Sequence, residues 1–470
     1  MNLNRIIIAS LVLLAACGGR IDTDTPTIGT VTSGITPEPG QIAGISAGQY
    51  FANVLRPSFS PGGESSASYS VGSEKSGELG NSVDSASGTA TNPVLNWQLP
   101  QTLLCNAAQN SALCIVATAS GTCHTLWLMA TGQIYGMGCN GQGQLGIPGD
   151  LSDKDQPTPL PTGNVVAIGA GGNSSYAATN PAAYNQTGSP GFYATGQNDH
   201  GQLGINSFTN ANGWSPVSFS SSGLGVSWPI VKIASGGQHV LVMDSQNQVY
   251  AWGRNDKAQV ESLPGQADQS RPQGLFSGAC TVNAGGGHDY IAAGAETSYW
   301  AGYRVSGGIC QDVEVLSWGG NSQGELGIGT SDTGVHPLSF SSPSLHINAV
   351  VGNIYLGIVA GPYSAYALYG QNWTGSGVQG DKKAHLYVTG ANGSGQLGTG
   401  NQSNVSAWTI ITNNFGPDTD SYVMAAGFDA AYVGDATANN PLLLVTGGDS
   451  DGQLALGGFS PSSLWTPSEL

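Results

Sequence analysis

Nine residues recur along this chain. The copies are "GSEKSGELG" from Gly72, "GCNGQGQLG" from Gly138, "GQNDHGQLG" from Gly196, "GGNSQGELG" from Gly319, "GANGSGQLG" from Gly390 and "GGDSDGQLA" from Gly447. A worn copy, "GRNDKAQVE", begins at Gly253, and successive first glycines lie 57 to 71 residues apart. Tyr or Leu stands three places before each first glycine, and most copies follow a small-residue turn and a short apolar run, as in "ASGGQHVLVM". A unit of this size, holding a few short strands, cannot hide its apolar faces alone, so the copies must pack on one another. A closed radial arrangement does so and also removes most exposed strand edges.

The second copy contains Gly141, Gly143 and Gly146 in the spacing G-x-G-x-x-G of a dinucleotide-binding turn. In sister copies the place of Gly141 is taken by Asp199 or Ser322, and no helix-forming stretch follows. The helix N-terminus that holds a pyrophosphate is therefore missing, and no nucleotide is expected. The repeated glycines are expected to allow positive φ and close strand approach, with the Leu at the eighth place as a buried plug.

Short apolar runs between Gly, Asn and Ser clusters predict an all-β chain. The 72 glycines follow no G-X-Y period, which excludes collagen. Acidic residues outnumber basic ones 29 to 12, for a formal charge of −17. That field repels nucleic acid and anionic lipid, whose recognition needs clustered Lys and Arg.

The chain opens "MNLNRIIIASLVLLAACGG": Arg5, an apolar run from Ile6 to Leu14, then Ala15, Ala16 and Cys17. This reads as a secretory leader too short to span a bilayer, and "LAAC" resembles the lipobox of bacterial lipoproteins. The expected organisation is a signal peptide at 1–16, a lipidated Cys17 opening a disordered tether to residue 40, and the repeats over 41–470. Gly18 rather than Asp after the Cys points to an outer membrane where the cell has one, on a periplasmic or surface face. Six further cysteines, in an oxidising compartment, suggest disulfides, and the lack of a C-x-x-C pair argues against structural zinc.

The units resemble RCC1 repeats, whose signature runs from a small-Gly-x-x-His turn through a hairpin to Tyr-x-Trp-Gly-x-Asn-x-x-Gly-Gln-Leu-Gly. The nearest stretches are "SGGQHVLVMDSQNQVYAWGRN" and "LSWGGNSQGELGIG". The resemblance implies an all-β, seven-bladed β-propeller from about residue 41 to 470. Within its second unit, the hairpin "CHTLWLMATGQIYGMGC" sets Cys123 and Cys139 symmetrically about Thr131, within disulfide reach. Cys280–Cys310 and Cys105–Cys114 are the further pairs expected.

Three inserted segments, "NPAAYNQTGSPG", "GAETSYWAGYRVSGGICQDVE" and "GPYSAYALYGQNWTGSGVQGDKKA", read as long hairpins on one face of the disc. They carry Tyr184, Tyr299, Trp300, Tyr303, Tyr363, Tyr366, Tyr369 and Trp373, which are expected to form one aromatic recognition surface; the alternative is that they pack over their own loops. His124, His239 and His288 hold one repeated place and read as structural, bonded to neighbouring backbone. Glu296, Asp312, Glu314 and Asp381 include no spacing that demands a catalytic pair, and "DSDG" at 449–452 is only a fragment of a calcium loop. The expected function is a lipid-anchored, non-enzymatic protein-binding module without metal or cofactor, its partner an envelope or extracellular protein. The alternatives are a glycan-binding protein and a polysaccharide-acting enzyme. The resemblance extends to exported bacterial protein binders such as β-lactamase inhibitors. Guanine-nucleotide exchange and chromatin binding are not expected of an exported, acidic chain.

Overall fold

The computed structural model describes residues 42, 44–60, 63–80, 94–98, 115–180, 191–219, 225–260, 267–277, 290–306, 309–339, 343–347, 353–372, 384–411, 422–435 and 443–468. The leader, the Cys17 tether, and Cys105, Cys114, Tyr184, Cys280, His288 and Trp373 lie outside them.

The described residues form seven antiparallel sheets, each of four consecutive strands. The fifth has a short extra strand, Leu345–Ile347, beside Ile309–Asn321. The innermost strands are Gly44–Ala47, Ile115–Ser120, Val165–Gly171, Ile230–Ser235, Tyr290–Ala293, Asn353–Ala360 and Tyr422–Ala426. Each lies beside the next, and the last lies beside the first. The chain is thus an all-β, seven-bladed propeller.

Burial explains the strand sequences. Every residue of the second strands His124–Met129 and His239–Asp244 is buried, because neighbouring sheets cover both faces and no polar side is needed. The outer strand Lys154–Pro159 buries none of its residues. Outer strands also carry Pro157, Pro216, Pro272 and Pro467, which lack the N–H that would template pairing with another chain.

Seams between blades are mostly apolar. Phe219 meets Phe192, Tyr250 and Trp252 edge to face where the third and fourth blades join. The first seam is different. Its apolar cluster is only Leu55, Ile115, Trp127, Met129 and Met137. Beside it Ser46 Oγ lies 2.8 Å from Ser120 Oγ and 3.0 Å from Thr118 Oγ1. Asn53 Nδ2 donates to Ser120 Oγ at 3.3 Å and Thr125 Oγ1 at 3.2 Å, while its Oδ1 accepts from Ser70 at 2.7 Å.

The recurring nonamer is the turn between the third and outer strands, and its side chains build it. Gly138, Gly143 and Gly146 have φ of +94°, +79° and +65°. The third residue reaches back to cap the eighth: Asn140 Oδ1 accepts from Leu145 N–H at 2.9 Å, and Asn392 from Leu397 at 2.9 Å. The seventh caps the fifth, as Gln144 Oε1 does for Gln142 N–H at 2.9 Å. The eighth residue is the plug, with Leu79, Leu145, Leu203, Val260, Leu326, Leu397 and Leu454 all at 0% exposure. In the worn copies Ala258 and Ala455 still take left-handed backbone, at φ +63° and +53°. Gly141 stands outside this scheme, with ordinary φ and nothing within 4 Å of an added Cβ.

Each turn grips the blade that follows it. Gly329 N–H donates to Ser406 O at 2.7 Å, and Gly400 N–H to Ser463 O at 2.8 Å. A Cβ on Gly395 would stand 2.7 Å from Ser463 Cα, and one on Gly398 would strike the Trp465 ring.

Candidate interaction face

Strand direction alternates within a blade, so the turns joining first to second strands share a face with the nonamer turns. The hairpins joining second to third strands open on the other face. The first-to-second turns have Gly-x-x sequences, including 48–50, 121–123, 236–238, 294–296, 361–363 and 427–429. A Cβ on Gly361 would lie 2.6 Å from Gly427 O, and one on Gly427 2.7 Å from Gly48 O, so successive turns touch. Middle residues bond across the gap: Thr122 N–H donates to Gly172 O at 2.8 Å and Ala295 N–H to Pro362 O at 2.9 Å. A girdle of backbone therefore surrounds the axis on this face.

The last residue of each turn ties it to the nonamer of its own blade. Ala391 N–H donates to Tyr363 O at 2.8 Å, Gly448 N–H to Asp429 O at 2.8 Å and Cys139 N–H to Cys123 O at 2.7 Å. In the second blade this tie is covalent: Cys123 and Cys139 form the expected disulfide, with Cα atoms 5.5 Å apart. Sister blades use the Asn173–Gln197 amide pair at 3.1 Å and Arg254 on Gln238 at 3.2 Å. Cys310 stands on the strand Ile309–Asn321, and its expected partner lies outside the described residues.

The structure corrects the aromatic reading. In the fifth and sixth blades the second strands begin at Thr297 and Ser364, so most of "GAETSYWAGYRV" and "GPYSAYALYGQN" is turn and strand, not hairpin. Tyr299, Trp300, Tyr366 and Tyr369 are buried in the core. The hydroxyls of Tyr299 and Tyr366 donate to Glu325 O and Gln396 O, both at 2.8 Å, and burial raises both phenol pKa values. Tyr369 stacks on His385 at 6.5 Å. Tyr303 stands on the strand Thr297–Ser306, and Tyr363, alone among the described residues of the set, lies on the turn face, partly exposed. The misreading arose because "GGGH" at 285–288 mimics the turn signature, while the true turn ends in Thr297.

His124 and His239, the described histidines of this repeated place, are seam pins, and each bonds a side chain of the next blade. His124 Nε2 lies 2.9 Å from Ser175 Oγ, and His239 Nε2 lies 2.9 Å from Ser298 Oγ. Ser298 donates onward to Gln259 O at 2.7 Å, so it accepts from His239 Nε2–H. Burial lowers both imidazole pKa values to about 4, so both rings stay neutral. Two of the acidic candidates are in structural use: Glu296 faces Arg254 at 3.6 Å, and Glu314, buried on its strand, faces His346 at 3.2 Å; Asp312 stands on the same strand as Glu314, and Asp381 lies outside the described residues. Among the described residues no group of three His, Cys, Asp or Glu could hold a metal ion.

Among the first-to-second turns, aromatic side chains stand on the sixth, seventh and first blades, while the turns joining third to outer strands expose Leu151, Phe208, Ile328 and Phe459 on the same face. Middle positions elsewhere include Thr122, Gly172, Gly237 and Ala295, whereas the seventh turn presents Phe428, 41% exposed. Its ring lies 5.9 Å from that of Tyr50 on the first turn, and Tyr363 stands on the sixth. Lys75 Nζ is 5.9 Å from the Tyr50 ring and 3.7 Å from Asp451 Oδ1. Asp429 adjoins Phe428 and accepts from Gln453 Nε2 at 3.1 Å; burial raises its pKa, and Asp451 raises it further. Burial and then Asp429 push Asp449 up to about 6. Sequence reading missed Tyr50 and Phe428, whose only signal is their place behind Gly48 and Gly427.

A family model described as "Regulator of chromosome condensation (RCC1) repeat" matches residues 131–178 and 192–243, and a second so described matches 230–259. The probable E3 ubiquitin-protein ligase HERC6 of Homo sapiens is 27% identical over 293 residues, 60% of this chain and 24% of its own length. The ultraviolet-B receptor UVR8 of Arabidopsis thaliana is 26% identical over 280 residues, 58% of this chain and 57% of its own. The chain thus spans less than two thirds of either relative. The solved structure of Prp20p from Saccharomyces cerevisiae superimposes with a TM-score of 0.60 at 21% identity, covering 85% of each chain. The chain is a seven-bladed β-propeller whose residues 131–178 and 192–259 match RCC1 repeats.

Proposed function

We propose that this propeller is an exported, lipid-anchored protein-binding module without catalytic activity, its partner a protein of the cell envelope or its surroundings. The observation that carries the reading is the set of aromatic side chains on three adjacent turns of one rigid face, Phe428 exposed and Tyr50 and Tyr363 partly so. Aromatic rings with few rotatable bonds, mounted on a scaffold that does not reorganise, make contact at low ordering cost. Protein binding has precedent on this fold: Prp20p has been studied for its binding to Gsp1p and histones. The lipobox at Cys17 supports attachment to a membrane, and the charge of −17 disfavours nucleic acid as a ligand. Tyr303, on the strand Thr297–Ser306, and Tyr184 and Trp373, outside the described residues, remain candidates for a second contact.

Affinity capture tests this. The full chain in detergent, passed against envelope extract and culture medium, is expected to retain a protein that a Tyr50→Ala, Tyr363→Ala, Phe428→Ala variant releases. Retention lost instead on changing Tyr184 and Trp373 would move the contact to those residues. Retention of glycan and no protein would favour the carbohydrate-binding alternative, and turnover of a polysaccharide would end the non-enzymatic reading.

A further inference from the structure

The seam where the seventh blade meets the first carries charge and aromatic rings in a specific arrangement. Lys75, on the nonamer of the first blade, places its ammonium between the Tyr50 ring at 5.9 Å and Asp451 Oδ1 at 3.7 Å, with most of its side chain in solvent. Phe428 extends the aromatic floor. Behind Asp451 stand Asp429 and Asp449. Asp449 is 1% exposed, and its Oδ2 has no hydrogen-bond partner among the described residues. Each of these carboxyls lies in the field of another: Asp451 acts on Asp429, and Asp429 on Asp449. One lysine thus faces Asp451, the outermost of three mutually interacting acids, in a molecule whose net charge is −17.

Such a site attracts a further cation. An ammonium or guanidinium over an aromatic face, with a carboxylate at its side, is held by both the ring quadrupole and the ionic charge. We propose that this seam receives a lysine or arginine side chain of the partner protein, and that Lys75 occupies the place in the free molecule. The inference rests on the protein-binding reading above and assigns its partner a basic contact segment. On this account Lys75 is a competitor, and removing it strengthens binding. A general electrostatic attraction also strengthens when any positive charge is removed, so the comparison is with a lysine on another blade: Lys257→Ala changes the net charge equally and is expected to tighten binding less than twofold.

The test uses the full chain and an eight-residue oligolysine peptide as probe, with oligoglutamate as control, in titrations at 50 and 150 mM salt. Lys75→Ala is expected to tighten oligolysine binding about threefold to fivefold, while Phe428→Ala and Asp451→Asn weaken it by similar factors. Asp199→Asn, an exposed carboxylate on the third blade, removes the same charge elsewhere and is expected to change binding less than twofold. Equal effects of Asp451→Asn and Asp199→Asn or of Lys75→Ala and Lys257→Ala, or weaker binding by Lys75→Ala, would overturn the proposal. Circular dichroism of each variant separates loss of the site from loss of the fold. Capture of an envelope protein that ignores Phe428→Ala and Asp451→Asn would end this inference and leave the protein-binding reading standing. Failure to capture any protein would count against that reading itself.

Discussion

Asp449 stands where five sister turns hold asparagine, at 140, 198, 255, 321 and 392. Four of the asparagines, all but Asn255, use both ends: Asn198 Oδ1 accepts from Leu203 N–H at 2.8 Å, and its Nδ2 donates to Ser207 O at 2.8 Å. Asp449 keeps the first bond, from Leu454 at 2.8 Å, but brings an acceptor where the others bring a donor. Its folded pKa, about 6, exceeds the ordinary value of 3.8. Below about pH 4 both folded and unfolded chains hold the proton. Between 4 and 6 the folded chain holds more of it, so stability falls as pH rises through that window, and above 6 the buried charge costs its full amount. Asp449→Asn is therefore expected to stabilise the protein at pH 7.5 by about 1–3 kcal/mol and to lose the advantage near pH 4, measured by denaturant melts at both values. The turn glycines make a second comparison. Gly143→Ala forces left-handed backbone on alanine, and its Cβ lies 2.9 Å from Asn212 Cα. It should cost about 1–3 kcal/mol, whereas Gly141→Ala, two residues away, should be neutral or slightly stabilising.

Strands and seams show what the sequence could and could not reveal. The nonamer was legible because a turn needing three left-handed residues, a cap and a plug leaves few choices at each place. The Cys123–Cys139 tie was legible because hairpin register follows from symmetry about the turn. The start of the second strands was not. The residue there is Phe51, His124, Ser174, His239, Thr297, Ser364 or Ala430, and only a His carries the signature. Strands covered on both faces also lose the alternation that separates strand from loop, so Tyr299 and Tyr366 read as loop aromatics. The polar first seam was equally hidden, being written in scattered Ser, Thr and Asn. Asn53→Ala should destabilise by about 1–3 kcal/mol, since Ser70, Ser120 and Thr125 lose a shared partner. A cost under 0.5 kcal/mol by the same melts, a threshold taken as about the scatter of surface substitutions, would mean water replaces the amide. Trp465, seated under the Gly398 turn, is an apolar counterpart, and Trp465→Ala should cost about 3–5 kcal/mol.

The molecule as a whole is a ring whose last joint is made by contact alone. Among the described residues every sheet is complete in consecutive strands, and none takes strands from both ends of the chain. Stability then depends on the weakest seam. Both Gly44–Ala47 and Val165–Gly171 are buried throughout, but the small apolar cluster and hydroxyl network beside the first predict faster amide exchange there than in the second, which packs in larger apolar clusters. Equal protection would show that the polar network holds as tightly as an apolar seam. The same topology has a consequence for where the chain can be cut. The link from Pro159 to Val165 joins one finished sheet to the next. A circular permutant opened there, with Ile42 and Ser468 bridged by a short linker across adjacent blades, keeps every sheet whole and preserves the order of the blades, each still gripped by the turn before it.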